Sequence, residues 1–251
     1  MPQFSDDLFL GPAQTYMGTN SNSNLGDPSP MDLGVGPLGR IYVWDVVPAA
    51  TATNVLATSQ TPAAAGSLTL TAGAGVTAVV RADGVSAYQL DCPRAVSVTQ
   101  VAAGTSRIFT VTGYDYYGQA MSEAITSTAG STVNGKKAFF QITGITVSGA
   151  TTTAVTVGNT SILGSPVRFT DRGYLDSVGW NNALAEDAAT TVVADSTTAT
   201  TTTGDVRGTV LPSSACDGTK RLVASILLTA LAVGPNATRL GALGVNQNLA
   251  S

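Results

Sequence analysis

The stretch from Gly104 to Pro166 constrains the fold more than any other part of the chain. Arg107–Thr112 reads as a strand, Tyr114-Asp115-Tyr116-Tyr117-Gly118 has the makings of a turn with glycine near its end, and Gln119–Thr126 reads as the returning strand. Two strands joined through a glycine-containing turn predict a β-hairpin. In the next run, Ala138–Ser148, Phe140 and Ile142 share one parity while Ile145 and Val147 share the other. The phase changes at Gly144, which predicts a β-bulge: one extra residue returns the same face to the core. Val155 and Val157 supply a further strand, and Gly158–Pro166 is expected to end the unit.

The rest of the chain reads in kind. Arg40–Val47 is β-branched and aromatic on both faces and stops at Pro48, which cannot donate to a ladder. SLTLT, with Leu68 and Leu70, predicts a half-buried strand, and others are expected at Val76–Arg81, Ala87–Asp91 and Ala95–Val101. Later candidates are Val167–Thr170, Leu175–Trp180, Val192–Ala194, Val206–Leu211 and Leu222–Leu228. The last is ambiguous, because Leu222, Val223, Ile226, Leu227 and Leu231 also fit helical spacing. The threonine-rich Thr190–Thr203 predicts an extended edge or an exposed loop. Short strands with Gly-rich turns define an all-β chain, a β-sandwich or jelly-roll-like barrel.

Residues 1–39 read differently. Thr19–Pro30 (TNSNSNLGDPSP) favours turns and extended backbone over packed elements. We therefore expect an extended N-terminal arm over 1–39, with Phe4, Leu8, Phe9 and Leu10 as apolar anchors for a partner. The β-domain then spans 40–251, either whole or divided into subdomains 40–166 and 167–251.

Composition limits the chemistry. Hydrophobic residues make up 43% of the 251, but charged ones only 11%, against about 25% in an ordinary chain. Thr, Ser, Asn and Gln must carry the polar surface. Such a surface suits either a protein largely covered by partners, since interface centres are depleted in charge, or a secreted β-protein with a Thr-rich face. The net charge is −4, and Lys136–Lys137 and Lys220–Arg221 are the only adjacent basic pairs, so no nucleic-acid partner is expected. The opening MPQFSDDLFLG carries Asp6 and Asp7 where a signal peptide would be basic and apolar. Leu222–Val233 is too short to span a bilayer, which takes ~20 residues, so neither export nor membrane residence is expected. Cys92 and Cys216 are expected as free thiols.

The chain has no histidine. Triads that activate a nucleophile through imidazole are therefore excluded, as are His-based zinc sites, and two cysteines cannot close a thiolate site. Carboxylate-pair glycan hydrolysis survives as the least favoured alternative. Its raw material would be Asp83, Asp91, Asp115, Glu123, Asp171, Asp176, Glu186 and Asp187, whose spacing singles out no pair. No catalytic residue, cofactor or metal is expected. Gly34-Val35-Gly36-Pro37-Leu38-Gly39 has the spacing of a dinucleotide-binding loop, but no strand precedes it and Pro37 removes a needed amide. The sequons at Asn159 and Asn236 carry little weight without an export signal. Tyr114, Tyr116 and Tyr117 are either a stacking surface for a partner or, as favoured, packed across the hairpin onto a neighbouring strand; extended backbone would put Tyr114 and Tyr116 on one face.

Thr110–Asp115, Tyr117–Gln119, Met121–Thr126 and Lys136–Gly158 together resemble a module that recurs in structural proteins of tailed bacteriophages. SDDLFLGPA and PSPMDLGVGPLGRIYVWDVVPA are similar to segments of head decoration (cement) proteins of short-tailed phages, and the likeness covers about two-thirds of the chain. The resemblance implies a non-enzymatic virion protein, made in the host bacterial cytoplasm, that stabilises the outer capsid surface by binding the major capsid protein shell. It also implies a homo-oligomer, a trimer before a dimer. A tail, fibre or host-surface-binding module is the alternative, because the module recurs there too.

Overall fold

The computed structural model describes residues 8–9, 40–101, 104–183, 185–196, 198–228 and 247. Its strands are β1 (Leu8–Phe9), β2 (Arg40–Val46), β3 (Ala57–Gln60), β4 (Gly66–Ser67), β5 (Val76–Val80), β6 (Ser86–Gln100) and β7 (Ile108–Tyr114). They continue as β8 (Ala120–Thr126), β9 (Thr132–Val147), β10 (Val155–Gly164), β11 (Leu175–Gly179), β12 (Thr190–Val192), β13 (Thr209–Leu211) and β14 (Leu222–Leu228). Arg172–Tyr174 forms one 3-10 turn. No α-helix occurs among the described residues, and none there is long and apolar enough to cross a membrane. The chain is all-β.

Every pairing is antiparallel, in two sheets. The smaller runs β1-β2-β14-β11; the larger runs β12-β13-β10-β6-β9-β7-β8, with β3 added on β10, β4 on β9 and β5 on β6. The ambiguous segment Leu222–Leu228 is a strand paired on both sides, with β2 and β11. Leu222, Ala224 and Ile226 are fully buried while Val223 and Leu227 are not. A small core residue, Ala224, made a period-two strand resemble a helix in the sequence.

Two large apolar clusters fill most of the interior of the described residues, beside a small pair of Ala199 and Val206. The first is built from Leu56, Val96, Val98, Phe109, Val111, Phe139, Ile142, Ile145, Val155 and Val157 with their neighbours. The second gathers Trp44, Cys92, Leu163, Phe169, Val178, Trp180 and Leu222. Strands β6 and β10 serve both, since Val96 and Val157 point into the first while Cys92 and Leu163 point into the second. Both cysteines are buried and unpaired, as expected.

Between the clusters the large sheet is creased. Asn134 faces Ser97 and Ala138 faces Ala95, so four steps on β9 match two on β6. On the other side Asn159 faces Val96 and Leu163 faces Arg94, again four steps against two. Bulges on both neighbours of β6 thus fall at one level, and a bulge bends and twists its strand. Pro93 falls just there, after β5 has stopped pairing at Leu90 and before β10 begins at Arg94. Hence the two strands expected at Ala87–Asp91 and Ala95–Val101 are one: proline is tolerated where the ladder partners change.

The hairpin of β7 and β8 pairs Ile108 with Thr126 through to Tyr114 with Ala120. The bulge predicted at Gly144 is present: Ile142 faces Gly113 and Gly144 faces Thr112, so Thr143 is the extra residue and both Ile142 and Ile145 are fully buried. Three expectations need correction. The ladder in SLTLT takes in only Ser67, although Leu68 is buried and its N–H donates to Ile145 O at 2.8 Å. Gly158 does not end a strand but lies within β10, because it lets the 52–53 backbone cross: a Cβ there would lie 1.9 Å from Ala52 O. Val167–Thr170 is irregular, with Phe169 bonding Arg207 through its N–H and Ala194 through its carbonyl, one residue from each of two segments.

Candidate functional site

Asp115 organises the hairpin tip. One carboxylate oxygen accepts the N–H groups of Tyr117 (2.9 Å) and Gln119 (2.8 Å), and Gly118 completes the turn with φ +79°. Its other oxygen accepts Arg207 Nη1 at 2.7 Å, and both side chains are buried. The Arg207 guanidinium also lies over the Tyr117 ring, 4.7 Å from its centroid, while the Tyr117 hydroxyl donates to Pro166 O at 2.6 Å. Burial pushes the Tyr117 phenol up to about 12. Nε and Nη2 of Arg207 have no hydrogen-bond partner, so Asp115 and the ring are what hold this cation.

The three tyrosines go to different neighbours. Tyr114 carries the Arg81 guanidinium 3.4 Å from its ring centroid. Tyr116 meets Tyr117 edge-on at 5.4 Å and Phe140 at 5.2 Å. Tyr114 and Tyr116 therefore do not act together: the turn begins at Asp115 and breaks the alternation. Tyr116 and Tyr117 keep 44% and 41% of their surface exposed, so the tip presents an aromatic pair braced from beneath.

That brace belongs to a seam of buried polar groups along the crease. The bulged amides of Lys136 and Lys137 donate to Glu123, and Ala138 N–H donates to Asp205 at 2.9 Å. Asp205 also accepts the N–H groups of Arg207 and Gly208. Buried backbone donors need partners, and carboxylates supply those the bulge takes out of the ladder. Desolvation raises the pKa of both Glu123 and Asp205, opposed by these hydrogen bonds. Burial lowers the pKa of Lys137, whose Nζ reaches Thr200 O and, at 3.2 Å, Thr203 Oγ1. The threonine-rich stretch thereby divides into an edge strand, β12, and a loop that covers the edge of β8 through Ala124 N–H to Thr201 O. Arg94 serves the opposite bulge: Nε donates to Thr160 O (2.8 Å), and Nη1 to Ala49 O and Asp91.

Of the carboxylates named from sequence, Asp115 and Glu123 lie in this seam. Asp83 pairs with Arg81, Asp91 with Arg94, and Glu186 with Arg172. Asp171 caps the 3-10 turn, Asp187 holds Ser213, and Asp176 is exposed on β11. Among the described residues no group of three or more Cys, Asp or Glu side chains is placed to hold a metal. Arg94, Lys137, Asp205 and Arg207 escaped sequence reading. Their one signal was a charge set inside an apolar run, as in CPRAV and KKAFF.

Leu8 and Phe9 pair with Ile41 and Arg40 at the edge of the small sheet, whereas Phe4 and Leu10 lie outside the described residues. A groove of about 540 Å³ runs beside β12, lined by Ile162, Val192, Leu211, Asp195 and Asp205. No protein-family model, curated protein or solved structure matches the chain.

Proposed function

We propose that this protein is a non-catalytic virion component that cements a phage capsid by binding the major capsid protein shell from outside. The observation that supports this most is where the charge goes. The chain is already poor in charge, and Arg94, Lys137, Asp115, Glu123, Asp205 and Arg207 are withdrawn into the interior. Thr and Ser are prominent among the exposed residues that remain, with single apolar side chains such as Val80 and Val101. Such a surface loses little when covered, because few charges must be desolvated. The arm over 1–39 would extend the contact, and copies would assemble as a trimer, or else a dimer, on a capsid symmetry axis.

Cosedimentation with capsids of the cognate virus tests the reading. The full chain should bind stoichiometrically and raise the temperature at which the shells open. Changing Phe4, Leu8, Phe9 and Leu10 together to serine should abolish binding while the body stays folded. A full chain that leaves capsids untouched ends this reading. The exposed pair Tyr116 and Tyr117 then favours the second one, a tail or fibre module, tested by binding to host cell envelope.

A further inference from the structure

A second groove, of about 450 Å³, crosses the large sheet on the face turned away from the first cluster. Val96 and Val98 point into that cluster, so by alternation Ser97 and Thr99 point out. Ser97 stands between Asn134 on β9 and Gly158 on β10, and Thr99 between Thr132 and Thr156. Rows of hydroxyl and amide side chains therefore form the floor. The segment Thr51–Thr53, seated on Gly158 and fixed by Ala52 N–H to Asn159 Oδ1 at 2.8 Å, forms one wall.

Most of the lining's polar atoms are committed. Asn159 holds Ala52, Thr160 holds Ala95 O, Ser161 accepts Cys216 N–H, and Thr99 bonds Thr132. Ser97 differs: it is 2% exposed, yet its hydroxyl has no protein partner. A buried hydroxyl left so carries an uncompensated desolvation cost unless something else bonds to it. Beside it in register lies the Asn134 side chain, exposed and able both to donate and to accept.

We infer that this groove binds a neutral saccharide, with Ser97 and Asn134 as its principal hydrogen-bonding contacts. No charged side chain lines the groove, which disfavours an ionic ligand. The lining is too rich in hydroxyls for a lipid chain. An extended peptide would need a free strand edge, but β6 is paired on both sides here, with β9 and β10. Hydroxyls and amides in both donor and acceptor roles match a polyol ring, and the volume lies in the range of small-molecule sites. The inference does not depend on capsid binding.

The test uses the full chain, isotopically labelled for amide NMR, with maltose, cellobiose and lactose as probes and glycerol as the control polyol. At least one disaccharide should produce saturable shifts at Ser97, Thr53 and the Asn134 side-chain amide, with none from glycerol. Asn134→Ala, which removes no internal bond, should keep the dispersed spectrum and weaken binding about tenfold, the worth of one to two hydrogen bonds. Silence from all three disaccharides, equal shifts from glycerol, or undiminished affinity in Asn134→Ala would each overturn the assignment.

Discussion

The two apolar clusters are built in opposite ways. The first lies wholly between Val55 and Val157, where the hairpins β5–β6 and β7–β8 are joined by the longer-range pairings of β9 and β10. The second brings Trp44 against residues as distant as Ile226, across strands that pair β2 with β14. The pairings of the first cluster close shorter loops, whereas joining Trp44 to Ala224 closes nearly the whole described chain. The difference also supplies a probe. Both tryptophans, Trp44 and Trp180, lie in the second cluster, so their fluorescence reports it selectively, while far-ultraviolet circular dichroism reports both.

Phe139→Ala is the largest perturbation. It empties a fully buried site in the first cluster and should cost about 3–5 kcal/mol. Because β6 and β10 run through both clusters, fluorescence and dichroism should shift to the same lower denaturant midpoint. A fluorescence midpoint that stays put would show the clusters to be independent. Arg207→Ala comes next, stranding the Asp115 carboxylate in the seam at a cost approaching 3 kcal/mol. Here the two midpoints should separate, and Asp115→Ala added to Arg207→Ala should recover part of the loss.

Tyr117→Phe should have the smallest effect, about 1 kcal/mol or less for the bond to Pro166 O. It also has a pH signature. A phenol whose pKa rises on folding from 10 to about 12 contributes stability that is complete below pH 10 and lost as the pH climbs through about 12. By ultraviolet absorbance the variant should lose one tyrosine's worth of the late titration near pH 12 and, with it, that share of the alkaline loss of stability.

This contrast also explains what could be read in advance. Hairpin β7–β8 and the extra residue at Thr143 announce themselves through parity, a property of adjacent residues. The seam does not. Lys136 and Lys137 look alike in sequence, yet one is exposed and the other fully buried, because a bulge set by pairing with β6 turns the second inward. Arg207 falls in Val206–Leu211, which reads as a strand although only Thr209–Leu211 pairs, and the partners of Asp205 and Arg207 lie far away along the chain. The hairpin turn is legible in the sequence; the arginines that lie over Tyr114 and Tyr117 are not. The hydroxyl of Ser97 stands out only once the pairing of β6 with β9 and β10 is known to leave it buried and without a protein partner.

The sharing of β6 and β10 also bears on synthesis. By the time Leu163 has left the ribosome, every residue of the first cluster is available, while Trp44, Cys92 and Leu163 still lack Leu222, Ala224 and Ile226. A nascent chain can thus hold a finished first cluster while the far ends of β6 and β10 carry a bare apolar patch. That patch is sealed only when β14 arrives, so a pause between codons 164 and 222 leaves it in need of a chaperone's cover.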